Sequence, residues 1–244
     1  MTNLVRAEFL KLRTTRAWIG YGAALVVISV IGAAGTVGGA ADVDLGTPEL
    51  SRDIIASSLF GGFIAFLVGI ISVTAEWRHG TITRTFLASP RRERVLVAKG
   101  VTMLLLGVGL AMLAIAIVVA VAAPWLVVEG SSLDVDGGQL VKIVLGAALW
   151  GAFGVGVGAV IQSQTAAIVV AILWVLVAET LTQALLGLAD LEAVADFLPG
   201  QALGAFEESG DGGLTTWAGG VVALGWVLGM GALGYVRMSR QDVT

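Results

Sequence analysis

The sequence predicts an all-α integral membrane protein: six transmembrane helices preceded by an amphipathic helix lying in the interface. Three observations predict this class. Hydrophobic residues make up 57% of the chain and charged residues only 13%, whereas a soluble domain carries charges on about a quarter of its residues. The mean hydropathy is +0.93. The apolar residues also gather into uncharged runs of about 17–25 residues, the length that crosses a hydrocarbon core of about 30 Å. These runs are apolar all round, while a membrane β-barrel would show short alternating segments.

The leader, residues 1–16, comes first. Val5, Phe9 and Leu12 share one helical face, with Arg6 and Arg13 near the opposite side. A basic amphipathic helix directly before a span lies in the headgroup plane, with Trp18 at the boundary. The rest of the chain, 17–244, forms one transmembrane domain. Its spans fall at about 18–39, 54–75, 101–128, 141–161, 166–188 and 217–236. The first run exceeds the apolar stretch of a secretory signal, about 7–15 residues, and reads as a retained anchor.

Orientation follows from the cations. Every basic residue except Arg52 and Lys142 falls in the leader, in the loop after the second span or in the tail. The positive-inside bias then puts both termini and the 76–100 loop in the cytoplasm of a multi-pass cell-membrane protein. Most of the acids fall in the opposite loops.

The loop "EWRHGTITRTFLASPRRERVLVAKG" has a shape of its own. Gly80 and Thr81 interrupt the helix leaving the membrane, and Thr81 or Thr83 can cap a short helix through Leu87. Ser89-Pro90 ends that helix, because the residue before proline is pushed out of the α region. Pro90 can open a new helix that runs into the third span. Ile82 and Phe86 are four residues apart and share a face. Anionic lipid suits the cations alone, but a helix–proline–helix with an apolar face suits docking to a protein.

Absences narrow the chemistry. Cysteine is missing and His79 is the single histidine, which leaves neither a thiolate site nor a multi-histidine metal site. No G-x-x-x-x-G-K-[ST] phosphate loop and no Ser/His/Asp set occurs. The glycines of "GAFGVGVGA" lie inside an apolar run, where Gly154 and Gly158 read as a close-packing pair. Glu179 sits within the fifth span, beside Thr180, Thr182 and Gln183. A carboxylate there costs about 2.5–3.5 kcal/mol on insertion scales, so it must face the bundle or a wet cavity. It reads equally as a gate residue or as a structural partner of hydroxyls or Trp N–H groups. A proton-coupled carrier using Glu179, or a non-transporting anchor that recruits a cytoplasmic partner, are the alternative functions.

"AEFLKLRTTRAW" before the first span, and the ordered set Glu76, Gly80, Thr81, Leu87, Pro90, Arg91, Arg92 and Lys99, resemble ATP-binding-cassette permeases of the second type, ABC-2-like exporters, especially actinobacterial ones. "FLPGQALGAF", from Phe197 to Phe206, resembles the segment such permeases carry between their last two spans. The resemblance implies a non-enzymatic half-transporter that pairs with a second permease, identical or homologous, and with two separate ATP-binding subunits. It binds no cofactor itself, since ATP and magnesium belong to the partner; nucleic acid and metal play no part. A cytoplasmic coupling helix would lie between helices 2 and 3, with Glu76, Gly80, Thr81, Ile82, Phe86, Leu87, Pro90, Arg91 and Arg92 serving the ATP-binding partner. Re-entrant helices between helices 5 and 6 would cap a path involving Glu179, Phe197 and Pro199. The implied cargo is amphipathic or lipid-like, as in multidrug or antibiotic export.

Overall fold

The structure, a computed structural model, describes residues 1–40, 45–89, 91–208 and 213–240, where every regular element is helical. Helix α1 spans Thr2–Thr14 and α2 spans Ala17–Gly39. Helix α3 (Pro48–Ala56) leads through a 3₁₀ turn into α4 (Phe60–Arg78), followed by the short α5 (Ile82–Ala88). Then come α6 (Arg92–Val128), α7 (Gly137–Ile161) and α8 (Gln164–Leu173), which passes through a π-helical turn at Trp174–Ala178 into α9 (Glu179–Leu188). Two short helices, α10 (Glu192–Ala195) and α11 (Pro199–Glu208), precede α12 (Thr216–Ser239). Six segments are long and apolar enough to cross a membrane, as the hydropathy runs predict: Ala17–Gly39, Pro48–Arg78, Arg92–Val128, Gly137–Ile161, Gln164–Leu188 and Thr216–Ser239.

The second segment begins earlier than the apolar run suggests. The Thr47 hydroxyl accepts from the Leu50 amide and Pro48 takes the first turn, so a helix starts before the charged residues Glu49, Arg52 and Asp53. Ser57 and Ser58 then donate to the carbonyls of Ile54 and Ile55, tightening the backbone into the 3₁₀ turn. A scan for uncharged residues cannot see a helix that carries three charges.

Helix α7 is the centre of the bundle, packed by α4, α6 and α12. Its glycines explain its place. Gly154 and Gly158 lie directly against the α4 backbone at Phe66 and Ile70, as their spacing predicts, and a Cβ at Gly158 would stand 2.8 Å from the Ile70 carbonyl oxygen. In a bilayer such small-residue contacts hold helices by dispersion, because lipid offers no hydrophobic gain for burying one apolar surface against another. By contrast α2, the α8–α9 segment and α12 leave most of their apolar surface uncovered. The bundle has a basic end, where α1, α5, the start of α6 and the end of α12 meet, and an acidic end holding α3, α10 and α11.

Candidate functional site

At the basic end four helices converge on one cluster of charges. Glu8 comes from the middle of α1, Lys11 from one turn later, Glu76 from the last turns of α4, and Lys99 from the third turn of α6. The Lys99 ammonium donates to Glu8 Oε2 and Glu76 Oε1, each at 2.7 Å, and to the Ser72 carbonyl at 3.0 Å. All three of its N–H bonds are used, so this lysine, only 1% exposed, is buried with every donor paired. Lys11 completes the cluster from the rim, at 2.6 Å from Glu8 Oε1 and 2.7 Å from Glu76 Oε1. Burial alone would lower the Lys11 pKa, but its hydrogen bonds to Glu76 and Glu8, and their charges, raise it instead.

The other Glu76 oxygen, Oε2, accepts from the Thr85 hydroxyl of α5 at 3.2 Å, and the Glu76 carbonyl accepts from the Thr81 amide at 2.9 Å. One residue therefore ties α5 to α1, α4 and α6. The turn between α4 and α5 needs the left-handed backbone at Gly80, φ 63°, where a Cβ would be strained. Thr81 stands at the N-cap position of α5 without a side-chain capping bond, and Ser89 ends the helix in an extended conformation, as the residue before proline does. Pro90 lies outside the described residues.

The orientation of α5 differs from the one its apolar spacing suggests. Ile82 and Phe86 do share a face, but it points inward, 5% and 7% exposed, against Val95, Leu96 and Met238. The Arg92 guanidinium stands 4.9 Å from the centre of the Phe86 ring and donates to the Met238 carbonyl near the end of α12. Phe86 thus packs within this chain. The reason is that α5 lies on the protein, so its apolar face has a core of its own to meet. What α5 presents outward is Arg84 and Leu87, the latter 78% exposed. Arg91 is exposed nearby.

Helix α1 departs from its predicted face in the same way. Leu12 packs against the core cluster, while Phe9 is exposed and Glu8 is the residue fully buried. The sequence marks Lys99 only through the resemblance, as the last of its ordered set, and does not single out Glu8. Two signals would have found them: Glu8 lies between Val5 and Leu12 on one helical face, and Glu76 and Lys99 flank the same loop at matching ends of neighbouring spans.

At the other end, Glu179 is 4% exposed and faces α11. Its Oε1 accepts from the Gln201 amide at 2.9 Å, with further hydrogen bonds from the Gly200 amide and the Trp174 side chain. Trp174 and Glu179 are five residues apart, the spacing a π turn brings together. Pro199, buried, opens α11, leaving the next two amides for Glu179. Gly200 leaves room for the carboxylate, since a Cβ there would stand 2.6 Å from Oε2. Phe197 is exposed, but its carbonyl accepts from the Trp226 indole at 2.8 Å. Between α4, α7, α8 and α12 lies a cavity of about 280 Å³ lined by Phe66, Phe153, Trp174, Trp226 and Met230. No group of His, Cys, Asp and Glu among the described residues could hold a metal ion.

A family model described as ABC-2 family transporter protein matches residues 2–243. No curated protein matches the chain at a meaningful level.

Proposed function

The chain belongs to the ABC-2 transporter family, and from that premise we propose how it works as the permease component of an ABC transporter, which associates with an ATP-binding subunit. In this reading both termini and the basic end are cytoplasmic, which the placement of all but two of the basic residues supports. Helix α5 is the coupling helix and α1 the interfacial one. Two copies, or this chain and a homologue, form the pathway through their uncovered helices, and two ATP-binding subunits drive export.

The observation that carries the reading is the charge cluster. A docking helix transmits force only if it is fastened to the spans behind it. Glu76 and Thr85 fasten α5, while Arg92 links it to α12. The face that remains free, Arg84 and Leu87, is the one we assign to the ATP-binding subunit. An amphipathic or lipid-like cargo accords with the wholly apolar, aromatic cavity beside Glu179. Glu179 itself acts as the cap that holds α11 over this region. A proton relay would require a second titratable group on its path, and Glu179 is bonded by backbone amides and an indole instead.

Two experiments test this. Leu87→Asp lowers co-purification of the ATP-binding subunit by about tenfold or more, because a charge in a desolvated anchor pocket is costly. The permease's own melting temperature stays unchanged, whereas Phe86→Asp lowers it. Unchanged co-purification with Leu87→Asp removes α5 as the docking element. For orientation, the chain has no native cysteine, so single cysteines at Thr2, Ser89, Asp134 and Glu192 can be labelled from either side. The first two react from the cytoplasm and the last two from outside; any other partition overturns the topology.

A further inference from the structure

The charge cluster pairs two lysines with two carboxylates and leaves a neighbouring cation over. Arg78, at the end of α4, donates to the neutral amide oxygen of Gln164 at 3.2 Å and forms no ion pair among the described residues. Together with His79 and Lys11 it rims a cavity of about 460 Å³ between α1, α2, α4 and the start of α8. Glu8 and Glu76 also border this cavity, but both are neutralised by Lys11 and Lys99. The rim therefore carries a net positive charge.

Below the rim the cavity changes character. Ala75, Ile71 and Val68 line it beneath Arg78, at spacings of three, four and three residues, which is one face of α4. That stripe runs about 15 Å along the helix, half of a hydrocarbon core of about 30 Å. Leu12 and Tyr21 close the other side. The space is thus cationic at its mouth and apolar for the depth of one leaflet. Gln164 opens α8 at the rim, and its N-cap residue, Ser163, makes no side-chain capping bond.

We propose that this cavity binds one anionic phospholipid of the cytoplasmic leaflet. Its phosphate sits among Arg78, His79 and Lys11, and one acyl chain runs along Ile71 and Val68. Guanidinium and ammonium groups are the donors that phosphate oxygens bind most strongly, and an arginine held by a neutral amide keeps its charge for the ligand. The lipid would bridge α1 and α4 beside the charge cluster, so the leaflet becomes part of the corner that holds α5. The proposal rests on the orientation given above and not on transport.

The test is native mass spectrometry of the full chain released from mixed phosphatidylcholine and phosphatidylglycerol micelles. The wild type retains phosphatidylglycerol in preference to phosphatidylcholine. Arg78→Gln combined with His79→Gln lowers that retention by about tenfold, the loss of charged hydrogen bonds. Arg84→Gln, an exposed cation outside the cavity, leaves it unchanged. Ala75→Leu fills the apolar slot with the rim intact and also lowers retention. Each variant is scored only with an unchanged size-exclusion profile, and Ala75→Leu decides if the rim variant fails to fold. Equal loss with Arg84→Gln would mean diffuse surface charge and overturn the site. So would full retention in the rim variant or in Ala75→Leu. Competition by glycerophosphoglycerol, which has no chains, as strong as that of the lipid itself assigns the rim to a free phosphate compound and overturns the lipid proposal. The topology labelling fails independently of these results.

Discussion

Glu76 and Glu179 are both buried carboxylates of membrane-spanning segments, and they are stabilised by different means. Glu76 meets two ammonium groups and a hydroxyl. Glu179 meets two backbone amides and an indole, and no cation among the described residues. The first arrangement joins helices that are distant in sequence through formal charges. If any one member is lost, its buried partners are left without their ion pair, so it is strong but brittle. The second uses dipoles fixed by the backbone of α11, and a neutral side chain of the same shape can replace the acid. The difference teaches where each end of the molecule can move. The basic end is built to hold four helices in one geometry, whereas at the acidic end Glu179 adds one polar tie to a short helix that already packs on α12 and α7.

The largest expected effect breaks the first arrangement. Lys99→Met leaves Glu8 and Glu76 facing each other with only the half-exposed Lys11 between them, and costs about 3–5 kcal/mol of stability. Thermal unfolding in detergent reads this, and adding Glu8→Gln recovers part of the loss. No loss in Lys99→Met would show that the lysine is not buried among carboxylates.

Next in size is a third carboxylate that has neither kind of support among the described residues. Glu207 is 5% exposed in α11, packed against Gly146, and burial together with the neighbouring Glu208 holds its carboxyl well above the ordinary carboxylate range. In the unfolded chain it titrates near 4.5. Above that pH the folded state still binds the proton that the unfolded state has released, so stability falls as pH rises toward the folded pKa. Unfolding measured from pH 5 to 8 shows this decline, and Glu207→Gln flattens it.

Glu179 follows. Glu179→Ala leaves the Gly200 and Gln201 amides without their acceptor and costs about 1–3 kcal/mol. Glu179→Gln keeps an acceptor oxygen and melts close to wild type. Loss of transport or of coupled ATP turnover in Glu179→Gln, with an unchanged melting profile, would move Glu179 from cap to pathway. The smallest effect belongs to Thr85→Val, which removes one long hydrogen bond to Glu76 and costs about 0.5–1.5 kcal/mol. Its coupling of ATP turnover to transport suffers more than its melting temperature does.

Much of this fold was legible in the residues, for a simple reason. Lipid demands about 20 apolar residues per span, and that demand is written linearly in the sequence. Gly154 and Gly158 also showed their role, because a small residue every fourth position has few other uses within a span. The site was legible only in part. Glu76, Gly80 and Leu87 stand where the loop pattern suggests. Phe86 turned inward, since periodicity shows which residues share a face and not what the face meets. Glu8 escaped because it looked like an ordinary interfacial charge, and Lys99 was marked by the resemblance without its partners, since the contact that joins them spans 91 positions. For Glu179 a Trp N–H partner was among the readings, but which one was hidden by the π turn, which shifts the helical register by an extra residue and defeats a 3.6-residue wheel, and the α11 amides lie beyond any local pattern.

Helix α6 has a mechanical consequence. Its 37 residues form one continuous element, about 55 Å long at 1.5 Å per residue, nearly twice the thickness of the hydrocarbon it crosses. A rod of this kind is a lever with its fulcrum in the bilayer. A tilt of about 5° about its midpoint displaces each end by about 2.4 Å for that length. One end carries Arg92 and Lys99, the handles of the basic corner, and the other carries Trp125, which rests against α2 at Gly38. A small stroke delivered at one face of the membrane would therefore reappear, reversed in direction, at the opposite face, through a helix whose one internal proline, Pro124, lies in its last turns beside Trp125.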